Sequence, residues 1–228
     1  MALRTGHSLR AILACSVVAV LPLHTFPLAS PVLQASDLSR RGGLVDEQFF
    51  KALVGAAVER THHTVRYDPA YVRIPYPGGD VPADTGVCTD EVIRAYRAVG
   101  IDLQKAVHED MLAHLPEYPR KWTGGHAVGT DTNIDHRRVA NLIVFFRRNG
   151  ASLPISASAS EYRPGDLVAW NLGGGITHIG IVADRRAADG GRYMIVHNIG
   201  RGPEMEDVLF CWKIIGHYRY AGMRQRGS

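Results

Sequence analysis

Cys88 stands in Asp84-Thr85-Gly86-Val87-Cys88-Thr89-Asp90, directly ahead of the helical run Glu91-Val92-Ile93-Arg94-Ala95-Tyr96-Arg97-Ala98-Val99. A cysteine at a helix N-terminus meets free backbone N–H groups and the positive end of the helix dipole. Both favour the thiolate, the nucleophilic form of the side chain. Further along, Thr177-His178-Ile179-Gly180-Ile181-Val182 carries a histidine in a strand-like run, and Ile195-Val196-His197-Asn198 supplies a third polar group. Cysteine, histidine and an orienting group suit attack by sulfur on a carbonyl carbon. The imidazole would pair with the thiolate and then pass its proton to a leaving amine. His197 and Asn198 are neighbours, so in a strand they point to opposite faces and only one can orient His178. Gly180 shares a strand face with His178, where a missing side chain leaves room beside the ring.

Other polar clusters carry less. Asp135-His136-Arg137-Arg138 opens an expected helix. Its arginines suit a substrate carboxylate, with Asp135, His136 and Arg137 as candidate binding residues. The same residues equally suit a solvated helix start. Asp90 fits the first turn of the cysteine helix as an acid near the dipole. Asp84, Asp90, Glu109, Asp110, Asp131 and His136 lack metal-ligand spacing, and neither H-E-x-x-H nor paired C-x-x-C occurs. No metal or other cofactor is expected.

The elements that must hold these residues follow from hydrophobic period and punctuation. Apolar residues at helical spacing predict a helix over 44–63. A Pro- and Gly-rich extended stretch follows to Pro82. The cysteine helix should end at Gly100, a C-cap. Further helices are expected over 103–115 and 133–149, separated by a glycine-containing loop over 122–132. The period then shortens, and strands are expected over 166–170, 177–183, 193–197 and 213–220. Helices first and strands second is an α+β order, with the nucleophile helix packed on an antiparallel sheet.

The N-terminus reads as a leader. Arg4 and Arg10 precede a continuous apolar run from Ala11 to Leu23, and small residues near 29 and 35 suit cleavage. The organisation expected is a signal peptide over 1–35, a flexible leader over 36–43 and a single catalytic domain over 44–228. Export to the periplasm follows, with no stable membrane span after cleavage. An uncleaved N-terminal anchor facing the same compartment is the alternative. Removing the leader removes Cys15 and leaves Cys88 and Cys211. The pair could form a disulfide in an oxidising compartment, or Cys211 could be a small buried hydrophobe in a strand. The formal net charge of +4 is scattered, with no basic face interleaved with aromatics, so nucleic acid is not an expected partner.

Several of these segments resemble a known family. Ile74-Pro75-Tyr76-Pro77-Gly78-Gly79, Val87-Cys88-Thr89-Asp90 and Gly100-Ile101-Asp102-Leu103 resemble the nucleophile region of NlpC-type cell-wall peptidases. Tyr162-Arg163-Pro164-Gly165-Asp166-Leu167-Val168 and Thr177-His178-Ile179-Gly180-Ile181-Val182 resemble their histidine hairpin. With Asn133-Ile134-Asp135-His136-Arg137-Arg138 and Ile214-Ile215-Gly216-His217-Tyr218-Arg219-Tyr220, the chain is also similar to the exported bacterial domain-of-unknown-function 1287 family, a branch of the same papain-like superfamily. The resemblance implies a papain-like fold and a thiol hydrolase acting on an amide bond of peptidoglycan stem peptides or another envelope substrate. It implies His197 as the third catalytic residue and the Tyr76 hydroxyl as an oxyanion donor. The chain departs from the pattern at Val87-Cys88-Thr89, where NlpC-type enzymes carry Asp-Cys-Ser, and in a long insertion before Tyr162. Those departures leave a rival, a non-catalytic envelope protein binding a wall or lipid ligand; the same triad would also suit a thiol acyltransferase or esterase.

Overall fold

The computed structural model describes residues 35–119 and 129–222, with side chains from residue 46 onward. The leader before Ala35 and most of the expected loop over 122–132 lie outside these residues.

In chain order the elements are α1 (Ala35–Arg60), β1 (Arg66–Tyr67), β2 (Thr85–Gly86), α2 (Cys88–Ala98), α3 (Leu103–His114), α4 (Val139–Arg148), β3 (Leu167–Gly173), β4 (Ile176–Arg186), β5 (Tyr193–Asn198), β6 (Pro203–Glu206) and β7 (Lys213–Tyr218). Strands β3 to β7 form one antiparallel sheet in the order β6-β5-β4-β3-β7, with the helices packed against it. The molecule is therefore α+β.

Helix α1 forms because Phe50, Leu53, Val54 and Ala57 recur on one face, and all four are buried. It packs on α2 and β4. Residues 36–43, expected as a flexible leader, fall within its span. Asp102 caps α3 by accepting from the N–H groups of Gln104 at 3.0 Å and Lys105 at 3.3 Å.

The helix expected over 133–149 is split. A short 3₁₀ turn, Asp135–Arg137, is followed by Arg138 in extended backbone (φ −112°, ψ 117°), and α4 starts only at Val139. Side-chain bonding explains the break. Asp135 accepts from the Asp131 N–H at 2.7 Å, and Arg137 is drawn across to Asp90. Such local bonds compete with helix formation. Strand β6 is absent from the expected set, because Pro203, Glu204 and Glu206 lack strand-like alternation.

Both faces of the sheet are covered. Leu167, Ala169, Ile179, Ile181, Ala183 and Val196 meet the helices in the main core. Val168, Trp170, Val182 and Ile195 face the other way, under Tyr162 and Leu209.

Candidate active site

Cys88 is the first helical residue of α2, following Val87 as N-cap. The cap works in one direction. Val87 has no side-chain acceptor, but its backbone N–H donates to Asp90 Oδ2 at 2.7 Å. The other face of Asp90 receives Arg137, whose Nε lies 2.8 Å from Oδ1 and whose Nη2 lies 3.0 Å from Oδ2. Thr89 Oγ1 donates to the Arg137 carbonyl at 3.1 Å. The start of the cysteine helix is thus pinned to the 3₁₀ turn by a buried, bidentate ion pair.

Cys88 is 5% exposed. The N–H groups of Ile179, Thr89 and Cys88 itself point at its sulfur and favour the ionised form. Burial outweighs them, and with the Asp90 charge pushes the thiol up to about 12. The helix-start position alone implied a thiolate; in the folded protein the thiol rests protonated.

His178 lies on β4 opposite Trp170 of β3. Its ring is stacked on Trp170 at 5.8 Å between centroids and meets Trp212 edge-on at 6.1 Å. Its Nε2 is 2.8 Å from His197 Nδ1. His197 Nε2 is in turn 3.0 Å from Glu206 Oε2 on β6, and Glu206 Oε1 receives Arg201 Nη2 at 3.0 Å. Burial pulls His178 down to about 3, with His197 adding to the effect. His197 is also lowered by burial, against the opposing pull of Glu206. Both rings therefore rest neutral. No hydrogen bond joins Cys88 Sγ to the His178 ring among the described residues. The sulfur rests instead beside the backbone of Ile179, the next residue along β4.

Gly180 has a different role from the one expected. A Cβ there would lie 2.6 Å from Ile195 Cγ2, 2.9 Å from the Val196 carbonyl oxygen and 3.1 Å from His197 Cβ. The missing side chain lets β5 approach, which brings His197 to His178.

The remaining sequence candidates fall in several places. Asn198 is buried, and on a strand it faces away from His197; its Oδ1 accepts from the Gly200 N–H at 3.2 Å, and among the described residues its Nδ2 has no hydrogen-bond partner. Tyr76 is 40% exposed and sits edge-on to His108 at 5.1 Å. Tyr67 lies within electrostatic reach of the sulfur: its hydroxyl is raised by burial first and then by Cys88 and Asp90. Parallel pairing of β1 with β2 carries it there, opposite Gly86. Asp135, His136 and Arg137 are buried rather than solvated. Asp135 holds His108 Nδ1 at 3.0 Å, and Arg137 is consumed by Asp90 and the carbonyls of Ala70 and Asp68. Burial pulls His136 down to about 4, helped by the Arg137 charge. These three residues build the scaffold behind Cys88 and offer no open site for a carboxylate. Cys211, expected as a buried strand position, is exposed in the turn before β7, and both described cysteines are free thiols.

Glu206 is the residue that sequence reasoning missed. The one available signal was its place in a short segment after Gly200-Arg201-Gly202 that folds back on the His197 strand. A groove of about 1600 Å³ between α1, residues 148–164 and the β4–β5 end does not include Cys88. Among the described residues no cluster of three or more His, Cys, Asp or Glu could hold a metal ion. No described helix is long and apolar enough to cross a membrane.

A family model described as "Domain of unknown function (DUF1287)" matches residues 54–220. The chain is 50% identical over 169 residues to "Uncharacterized protein YijF" of Escherichia coli (strain K12), covering 74% of this chain and 80% of that protein. Among solved structures it is similar to a N-acetylmuramoyl-L-alanine amidase from Bacteroides uniformis ATCC 8492, with 16% identity and a TM-score of 0.45 over 75% of this chain and 98% of that one.

Proposed function

The chain belongs to the DUF1287 family, and from that premise we propose that it is an exported thiol hydrolase of papain-like, NlpC-type architecture that opens an amide bond of peptidoglycan stem peptides. The observation that carries the chemistry is the 2.8 Å bond between His178 Nε2 and His197 Nδ1, beside a helix-start sulfur lying against the next residue of the same strand. The substrate class rests on the resemblance of the Cys88 and His178 segments to NlpC-type peptidases. Export rests on the leader-like residues 1–35, and the compartment proposed is the periplasm.

In this mechanism Cys88 and His178 begin as a neutral pair. As Sγ bonds to the carbonyl carbon, its proton moves to the free Nδ1 of His178. That proton then passes to the amide nitrogen as the C–N bond breaks, leaving an acyl thioester and a free amine. Water, deprotonated by His178, attacks the thioester and releases the carboxylate and the thiol. His197 holds the ring in register throughout. Tyr67, beside the sulfur, is better sited than Tyr76 to donate to the carbonyl oxygen as negative charge develops there. A contact between base and nucleophile that is open in the resting protein can close when substrate binds.

The test compares the wild-type protein with Cys88→Ala on purified peptidoglycan fragments, with products identified by mass spectrometry. Cleavage by the wild type and none by the variant is expected; equal cleavage by both ends the proposal. A second reading, a non-catalytic envelope protein of the same fold, is favoured by one observation: Cys88 is 5% exposed and its thiol is held protonated. It predicts binding of the fragments by both proteins and turnover by neither.

A further inference from the structure

We propose that Glu206 is a positioning residue that fixes the proton placement on both histidines and so leaves Nδ1 of His178 as a proton acceptor for Cys88. The inference rests on the hydrolase reading for its consequence, but its physical content is independent of it.

An ionised glutamate only accepts hydrogen bonds. Glu206 Oε2 lies 3.0 Å from His197 Nε2, so that nitrogen carries the hydrogen. His197 is buried and lowered toward neutrality, and a neutral imidazole has one N–H. Its Nδ1 must therefore accept. The 2.8 Å partner of that Nδ1 is His178 Nε2, which must donate. His178 is neutral as well, so its own Nδ1 keeps a lone pair. One carboxylate thus decides the protonation of two rings in sequence.

Among the described residues no competing group fixes the pair. The walls around His178 are the indoles of Trp170 and Trp212, and Trp170 Nε1 is already donating to the Leu209 carbonyl at 2.9 Å. An indole N–H only donates, so neither tryptophan offers a nitrogen acceptor. The other charged groups that act on His197 are Glu204 and Arg201, and Arg201 Nε bonds Glu204 Oε2 at 3.1 Å. Arg201 Nη2 also donates to Glu206 Oε1 at 3.0 Å, which leaves Oε2 to accept from His197. Without Glu206 the two rings could exchange donor and acceptor roles. In the exchanged state His178 Nδ1 carries the hydrogen and cannot take the thiol proton. The wrong tautomer of a catalytic histidine is costly in the analogous serine enzymes.

The test uses the protein labelled with ¹⁵N at histidine, with His178 and His197 signals assigned through H178Q and H197Q. In the wild type both rings should give the Nε2–H tautomer. In E206Q, which keeps the side-chain shape, and in E206A, His178 should shift to a mixture of tautomers. E206D should recover part of the wild-type pattern. Should E206A fail to fold, E206Q carries the comparison. A His178 signal unchanged in the folded Glu206 variants overturns the inference. In parallel, cleavage of peptidoglycan fragments by E206Q should fall about 100-fold, within the range a poised general base contributes. An inactive wild type with the expected tautomer change sinks the hydrolase reading and leaves the proton placement standing.

Discussion

Replacing His197 by Ala removes the ring bonded to His178 Nε2, and hydrolysis of wall fragments should fall about 100-fold or more. Asn198→Ala removes only a 3.2 Å bond to the Gly200 N–H, so it should cost about 0.5–1.5 kcal/mol of stability and little turnover. The pair separates the two residues that sequence alone left open; steady-state rates and urea unfolding read them. Buried neutral histidines also make the fold acid-sensitive. His178 and His136 sit at about 3 and about 4 in the folded state, below the ordinary value of about 6.5. Between those limits the unfolded chain binds more protons, so stability falls as pH drops from about 6.5. By pH 4.5 each histidine should withdraw about 2–3 kcal/mol, visible as a lower Tm; His136→Gln should show a shallower decline. An unchanged slope in that variant would mean His136 is not held neutral.

At the scale of elements, the Asp90–Arg137 pair ties the Cys88 helix to the 3₁₀ turn, with both side chains 2% exposed. Asp90→Asn leaves a buried guanidinium without its counter-charge and should cost about 3–5 kcal/mol. A double replacement of both residues by apolar ones of similar size should recover much of that loss in denaturant titrations. Gly180→Ala drives a methyl toward Ile195 and the β5 backbone. It should cost about 1–3 kcal/mol and separate His197 from His178, lowering turnover more than stability. These elements were legible to different degrees. The cysteine helix, the strands holding His178 and His197, and the Gly100 stop all followed from period and punctuation. The Pro-Gly-Asp turn was visible too, but not its partners: Asp166 accepts from the Arg163 N–H at 2.8 Å and from His217 Nε2 at 2.8 Å. The second bond depends on β7 lying beside β3, a non-local fact. Glu206 was hidden for the same reason, since antiparallel pairing of β5 with β6 brings it near His197. The nearness of Tyr67 to Cys88 was hidden because a two-residue parallel pairing leaves no periodic trace. The burial of Cys88, which reverses the expected thiolate, depends on α2 meeting β4 and β5.

Across the whole molecule, one core joins α1, α2, α3 and α4 to the helix-side face of the sheet. Unfolding should therefore be a single transition, with tryptophan fluorescence from the Trp170 face and far-UV circular dichroism from the helices falling together. Deleting residues before 61 removes Phe50, Leu53 and Ala57 from that core. At about 1.5–3 kcal/mol for each large buried side chain, the truncated chain should lose cooperative folding. Retained two-state unfolding would show that α1 is an appendage.

The burial that raises the Cys88 thiol also decides which sulfur survives a harsh environment. Peroxide and small disulfides attack through the thiolate and need access to it. Cys88 offers neither, while Cys211 is open to solvent. Incubation with oxidised glutathione should load Cys211 with the adduct and leave Cys88 unmodified in peptide maps. The burial that holds the Cys88 sulfur protonated would thus keep it durable wherever reductants are scarce.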